Sequence, residues 1–299
     1  MKKPKVIVIL GQTATGKSDL AVKIARKLNG EIISADSRQV YKGLDVGTGK
    51  ITPQEMRDVP HHLLDVADPK KQFSVAQFQM WTNRAIAQIV HRGGTAIICG
   101  GTGFYIDAVT RSLTFPEVPP DNALRRRLAL VSDRALMLKL KKLDPDRAKN
   151  IDPHNKVRLI RAIEIAHSLG HVPHLPRRQV GANYKFVKIG LYLPKEKLKE
   201  KISIRLFARI RAGMIAEARK LHKNGLSYKR MRELGLEYRY LALYLQGKIT
   251  KTELLKNLNI KIYQYAKRQM AWFKRDKEIH WFDASEKGLL RKVFMVCGR

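Results

Sequence analysis

The sequence predicts an α/β protein, a parallel sheet flanked by helices, with a helical inserted domain breaking the sheet pattern in two. Three observations carry this. Short apolar runs alternate with helix-period segments through the first 112 residues. The first run, "KVIVIL", opens directly into the glycine turn "GQTATGKS". The alternation then stops, gives way to basic helical segments over 113–182, and resumes at "YKFVKIGLYLP".

Residues 5–10 read as a buried strand. "SDLAVKIARKLNG" sets Leu20, Ile24, Ala25 and Leu28 on one helical face and stops at Gly30. "EIISAD" (31–36) is a second short strand ending in a carboxylate. "DSRQVYKGLDVGTGKITPQEM" has turn chemistry and few core positions, so it reads as a functional loop. "FSVAQFQMWTNRAIAQIVHRGG" is a helix. Ser74 and Gln77 form a capping-box pattern, Phe78, Trp81, Ala85 and Ile89 share a face, and a glycine pair ends it. "TAIICGGTGFY" is a third strand running into a glycine turn.

"TFPEVPPD" leaves this rhythm through prolines, and "NALRRRLALVSDRALMLKLKKLD" and "HNKVRLIRAIEIAHSLG" are basic helical segments. "HVPHLPRRQVGAN" is an exit loop. In the resumed strand Val187, Ile189, Leu191 and Leu193 alternate. More basic helices follow, including "IKIYQYAKRQMAWFKRD", and then a last strand, "EIHWFD". The predicted organisation is a core of residues 1–112 and 183–299 with an insertion at 113–182.

Charge points to the partner. Lys plus Arg number 59 against 26 Asp plus Glu, a net charge of +33. Residues 185–280 alone hold 25 basic and 8 acidic residues, so over half the excess lies away from the glycine turn. A small-molecule enzyme has no need of this, and nucleic acid is the natural polyanion. The 44% apolar content suffices for a core. Cys99 and Cys297 lie far apart, without metal spacing, which fits a reducing compartment. No apolar run approaches the ~20 residues that span a bilayer, and the basic start lacks a signal-peptide pattern. The expectation is a soluble, cytoplasmic protein.

The glycine turn reads G-x-x-x-x-G-K-S, a P-loop. Residues Gly11, Gln12, Thr13, Ala14, Thr15, Gly16, Lys17 and Ser18 would cradle phosphate, and the motif alone leaves open whether that phosphate belongs to a nucleotide. Backbone N–H groups curl around an oxyanion, Lys17 reaches the terminal phosphate charge and Ser18 can hold Mg²⁺. The core is therefore P-loop NTPase-like. Asp36 follows an apolar strand, as a Mg²⁺ carboxylate of an ATP-binding enzyme would. Followed by "SRQVY", it also suits base-edge recognition and deprotonation of a nucleophile, or a plain N-cap. "GGTG" (100–103) puts Thr102 at the carboxyl end of a strand, where parallel sheets bind ligands, or makes an ordinary tight turn. His61 and His62 are adjacent, so in a strand they point to opposite faces and would not share a metal. His167, His171 and His174 are spaced like zinc ligands, but Gly170 and Pro173 break the helix that would align them. Met270 and Trp272 read as core, with the interleaved Lys267, Arg268, Lys274 and Arg275 facing RNA.

Together, "GQTATGKS", "DSRQVYKGLDVGTGK", "PHHLLDV", "FSVAQF", "GGTGFY", "VRLIRAIEI" and "KRQMAWFKRDKEIHWFD" resemble the tRNA dimethylallyltransferase (tRNA isopentenyltransferase) family. The resemblance runs from residue 11 to 283. Gln12 replaces the family's usual proline, Gly49 a common alanine and Phe104 a common leucine. It implies a transferase that moves the dimethylallyl group of dimethylallyl diphosphate, with Mg²⁺, to the exocyclic amine of the adenine 3′ of the anticodon. Asp36 matches the family's base. Thr13 and Thr102 match site-lining positions, and Arg205 would add positive charge. Contacts to tRNA are implied for Asp36, Ser37, Arg38, Gln39, Thr102 and Arg125. They are also implied for Val157, Arg158, Leu159, Ile160 and Arg161, and for Arg232, Glu233, Leu234, Gly235, Leu236 and Glu237. A monomer is the family's usual state. A P-loop kinase or ATPase, a prenyltransferase of free adenine nucleotides and a non-enzymatic RNA-binding module are the competing readings.

Overall fold

The structure, a computed structural model, describes residues 3–173 and 183–298. It divides into two compact units, Met1–Arg111 with Gly181–Arg299, and Ser112–Val180.

In the first unit, strand β1 (Lys5–Gly11) runs through the glycine turn into α1 (Lys17–Leu28), then β2 (Gly30–Ser34). A one-turn helix α2 (Pro53–Met56) precedes the two-residue β3 (His61–His62). Helix α3 (Val75–His91), β4 (Thr95–Gly100) and α4 (Gly103–Thr110) follow. The second unit is α5 (Asn122–Ala129), α6 (Asp133–Leu143), α7 (Pro145–Lys149) and α8 (Lys156–Leu169). The chain returns as β5 (Lys185–Tyr192) and continues as α9 (Lys195–Arg211), α10 (Met214–Lys223) and α11 (Tyr228–Leu234). It closes with α12 (Leu236–Leu245), α13 (Lys251–Phe273), β6 (His280–Asp283) and α14 (Leu289–Gly298).

One six-stranded sheet results, in the order β3-β2-β4-β1-β5-β6, every pair parallel. β1 lies between β4 and β5, which explains its unbroken apolar run: a central parallel strand is covered on both faces. Val6, Val8 and Leu10 pack against Phe78, Ile86 and Ile89 of α3 and Ile106 of α4. Ile7 and Ile9 face the other way, onto Leu20, Ala21 and Ile24 of α1 and Val293 of α14. Val6 to Ile9 are fully buried, each contributing about 1.5–3 kcal/mol of hydrophobic stabilisation. A third core lies among α9 to α13, with Leu206, Met231, Tyr238, Leu241 and Leu258. The second unit has its own core, with Leu136, Leu140, Leu159 and Ile163.

Several local expectations need correction. The segment after β2 is not short of core positions: Val40, Tyr41 and Leu44 are buried in the third core. Trp81 is 42% exposed, because the face of α3 that packs runs through Phe78, Thr82, Ala85, Ile86 and Ile89. Helix α1 ends at Leu28 with Asn29 in the left-handed conformation, and Gly30 already belongs to β2. Met270 and Trp272 are only half-buried; Gln269 and Phe273 fill the core positions beside them. The last strand lies where expected, at β6, but one further helix, α14, follows it. Among the described residues no helix is long and apolar enough to cross a membrane.

Candidate active site

The site grows from the carboxyl end of β1. Gly11 leaves the strand at φ +133°, and a Cβ there would meet the Leu191 carbonyl oxygen at 2.2 Å, so only glycine lets the loop turn beside β5. The loop folds back on itself through the Gln12 carbonyl, which accepts from Thr15 Oγ1 at 2.8 Å and from Lys17 Nζ at 2.5 Å. Ala14 takes a left-handed φ of 65°, turning successive N–H groups inward ahead of α1. Gly16 caps α1 and is exposed, as is Ser18, the second residue of the helix.

Lys17 is half-buried as a residue, with its ammonium turned into the loop. Burial lowers its pKa to about 8, and the nearby Arg205 guanidinium pushes the same way, while Cys99 and Asp36 oppose it. An ammonium destabilised in this way gains most from an arriving phosphate.

Asp36 sits two residues beyond β2 and is half-buried. Its Oδ1 accepts the backbone N–H groups of Arg38 at 2.8 Å and Gln39 at 3.4 Å. The capping and chemical readings of this residue therefore coexist: one oxygen fixes the turn. The other has no hydrogen-bond or ion-pair partner among the described residues. Thr102 opens α4 and its Oγ1 accepts the Ser37 N–H at 3.0 Å, tying the glycine turn after β4 to the turn that carries Asp36. Tyr265, from α13, hydrogen-bonds Thr102 and feels the charge of Asp36; burial and that carboxylate hold its phenol well above the ordinary range.

Arg205 projects from α9 over the loop after β2, its guanidinium 2.9 Å from where a Gly49 Cβ would stand. Its charge acts on both Lys17 and Asp36. That loop is strapped down rather than free. Glu217 accepts N–H groups from Asp45, Val46 and Gly47 at 3.0, 2.7 and 2.9 Å, and Tyr238 donates to it at 2.7 Å. Arg209 grips the Val46 carbonyl at 2.9 Å and pairs with Glu237 at 2.9 Å.

The remaining predicted residues divide by position. Arg38 is half-buried and its guanidinium approaches Gly235. Gln39 spends its amide on Ser34 and the Gly49 carbonyl, both at 3.3 Å. Arg232 donates to Gln246 at 3.2 Å, Glu233 is exposed, Leu234 is buried, and Leu236 takes a positive φ. In the second unit Val157 and Arg158 are exposed, but Leu159 is fully buried and Ile160 packs on the core. Arg125 and Arg161 both clasp Glu164, which is 3% exposed. Burial alone would raise the Glu164 pKa; the two guanidiniums outweigh it and hold the carboxyl below its usual range.

His62 pairs with Glu31 at 2.6 Å and His61 with the Val59 carbonyl at 2.8 Å, both structural uses. His167 lies in the last turn of α8, and His174 falls outside the described residues. Sequence reading overlooked Gln269, Tyr265, Arg209 and Glu217. For Gln269 a signal existed: on α13, Ile262, Ala266, Gln269 and Phe273 form one buried stripe, and a polar residue at a core position needs a purpose.

Comparison with known proteins shows the family to which the chain belongs. The family described as IPP transferase matches residues 39–276. The chain is 42% identical to tRNA dimethylallyltransferase 1 of Geotalea uraniireducens, over 93% of this chain and 92% of that protein. It is 38% identical to the tRNA dimethylallyltransferase of Bacillus subtilis, over 94% and 91%. Among solved structures, the full-length tRNA isopentenylpyrophosphate transferase of Bacillus halodurans superposes with a TM-score of 0.74 at 36% identity, over 99% and 96% of the two chains.

Proposed function

Because the chain belongs to the IPP transferase family, with tRNA dimethylallyltransferases as relatives, we propose that it prenylates tRNA. In this reading the dimethylallyl group leaves dimethylallyl diphosphate and joins the exocyclic amine of the adenine immediately 3′ of the anticodon. The observation that carries it is Asp36, a carboxylate with one oxygen fixed by backbone N–H groups and the other uncommitted, in the charge field of Lys17 and Arg205.

The chemistry follows from the residues. The C–O bond of the donor breaks, its electron pair leaves with the diphosphate oxygen, and one more negative charge falls on an already polyanionic leaving group. The loop N–H groups, Lys17 and Arg205 supply that stabilisation. Lys17, parked on the Gln12 carbonyl, swings to a phosphate oxygen and regains a full proton share. The new N–C bond forms as the adenine amine gives its proton to the open Asp36 oxygen. Thr102 and Tyr265 orient the amine beside it. The adenine must leave the anticodon stack to reach this depth.

The residues fit Mg²⁺. The exposed Ser18 hydroxyl and the diphosphate oxygens are the hard donors that this ion takes, and Ser18 would hold it. When bound, it neutralises leaving-group charge.

Residues 1–112 and 183–299 form the catalytic core in this proposal, and 113–182 contacts the tRNA. Arg38, Ser37 and the 232–237 segment sit near enough to Asp36 to grip the anticodon loop. In the insertion, the exposed Val157 and Arg158 are the better candidates for direct contact, whereas Leu159 shapes the helix from within. The enzyme works as a cytoplasmic monomer.

The test is nucleoside mass spectrometry. The protein is incubated with dimethylallyl diphosphate, Mg²⁺ and tRNA lacking the modification, and the tRNA is digested. A new adenosine carrying a five-carbon group establishes donor and acceptor together. No such product, with ATP hydrolysed in a parallel reaction, returns the loop to a nucleotide and ends this reading.

A further inference from the structure

The phosphate loop and the turn bearing Thr102 come from different strands, β1 and β4, yet one side chain is bonded to both. Gln269 of α13 is 5% exposed. Its Oε1 accepts the Thr13 N–H at 2.7 Å, and its Nε2 donates to the Gly101 carbonyl at 2.9 Å. The approach is close enough to dictate sequence: a Cβ on Gly101 would stand 2.1 Å from Nε2. One turn earlier on the same helix, the Ala266 carbonyl accepts Gln12 Nε2 at 3.3 Å, a second attachment of the loop. From Gly101 the chain of bonds continues through Thr102 to Ser37, next to Asp36.

We propose that Gln269 is a positioning residue that fixes the spacing between the diphosphate cradle and the acceptor side of the site. This deepens the function proposed above and rests on it. Transfer requires the donor carbon, held by the loop, to lie in line with an amine held near Asp36 and Thr102. An error of about an ångström there is costly, because reacting atoms must meet at ~3–3.5 Å. A buried amide with both ends engaged is a rigid spacer. Glutamine is the one uncharged residue of this length that both accepts from Thr13 and donates to Gly101. Without it, the Thr13 N–H and the Gly101 carbonyl lose their side-chain partner, and beyond the last β1–β4 pairing, Leu10 with Gly100, the two turns are no longer joined through this side chain.

Gln269→Leu keeps the volume and deletes both bonds. Gln269→Glu keeps an acceptor for Thr13 and deletes the donor to Gly101. The first measurement is calorimetric binding of inorganic diphosphate with Mg²⁺ to each variant and to the unaltered protein. The second is steady-state transfer. For Gln269→Leu, diphosphate affinity falls roughly tenfold and kcat falls by more, with the apparent tRNA constant within about twofold. For Gln269→Glu, a buried carboxylate stands beside the diphosphate cradle and faces the Gly101 carbonyl, so diphosphate affinity and kcat both fall, again with the apparent tRNA constant within about twofold. A purely structural glutamine would lower the melting temperature and degrade diphosphate and tRNA parameters together in both variants, and that result overturns the proposal. So does diphosphate binding and kcat within twofold of the unaltered protein. If the unaltered protein transfers no prenyl group but its diphosphate binding still depends on Gln269, the functional reading fails while the loop attachment stands.

Discussion

Two carboxylates, Glu164 buried in one unit and Asp36 half-buried in the other, are treated in opposite ways. Glu164 of α8 is clasped by Arg125 and Arg161 and also accepts the Asp121 N–H at 2.6 Å. Asp36 has two backbone N–H groups on one oxygen and no ion pair among the described residues, although Lys17 and Arg205 are close enough to feel its charge. A carboxylate saturated with guanidinium is locked as an anion and has no lone pair to lend. One steadied on a single side keeps an oxygen for an incoming proton. Under the proposed function, the contrast separates a structural acid from a chemical one by the partners that each has.

The most direct way to break that comparison is Asp36→Asn. The substitution leaves an oxygen to accept from Arg38 and Gln39, so the turn survives. Turnover should fall by roughly 10²–10⁴, the usual loss for a general base, with the tRNA dissociation constant little changed. Activity within a few-fold would remove Asp36 from the chemistry. At Glu164 the expected pattern inverts. Glu164→Ala strands two guanidiniums at the core of the insertion and should cost about 3 kcal/mol in denaturant unfolding. That figure is at the low end for a broken buried pair, because Arg125 and Arg161 keep 30% and 34% of their side-chain surface open to screening. Chemistry per folded molecule should survive. The pH dependence follows the same logic: the folded-state pKa of Glu164 is depressed, so its contribution is complete above the ordinary glutamate value and is lost as pH falls through the lower one.

Lys17 gives the next, smaller effect. Its ammonium is present below a pKa of about 8 and is lost as pH rises through that value. With dimethylallyl diphosphate as the varied substrate, kcat/KM should therefore decline above pH 8. The decline in kcat should begin at higher pH, because bound diphosphate favours the charged form. A kcat/KM profile flat to pH 9.5 would mean that the ammonium is not so placed.

The central sheet was legible because β1 announces itself twice, by an apolar run with no polar alternation and by the loop motif that follows. Asp36 and Lys17 were legible for the same reason: they lie within local sequence signatures. Gln269, Glu217 and Arg209 were not, because what they do is defined by partners 256, 172 and 163 residues away. Nothing local distinguishes Glu217, which binds three N–H groups, from the other acids on amphipathic helices. The loop from Ser37 to Met56 misled because glycine and charge in its sequence suggest solvent, whereas Tyr41 and Leu44 anchor it in a core supplied by helices encoded 150 residues later. Helix α14 escaped notice because a short apolar tail beyond a strand has no periodic length to reveal it.

The smallest predicted effect tests the same comparison within the insertion. Val157 to Arg161 read in sequence as a uniform contact segment, but the helix divides it. Arg158 is exposed and makes no ion pair among the described residues, whereas Arg161 donates to Glu164 and to the Val118 carbonyl at 2.9 Å. Reversing each charge should therefore give different failures. Arg158→Glu should leave the melting temperature unchanged and weaken tRNA binding by roughly fivefold at moderate salt. It should also lower the magnitude of the log–log salt slope by about one, as expected when one phosphate contact is removed. Arg161→Glu sets a carboxylate against Glu164, so unfolding should become easier before any binding defect can be isolated. If both variants weaken tRNA binding equally with unaltered unfolding, Arg161 serves the RNA as well as the fold. If neither changes the salt slope, the excess charge that binds tRNA lies elsewhere, and the 25 basic residues between 185 and 280 are the place to look.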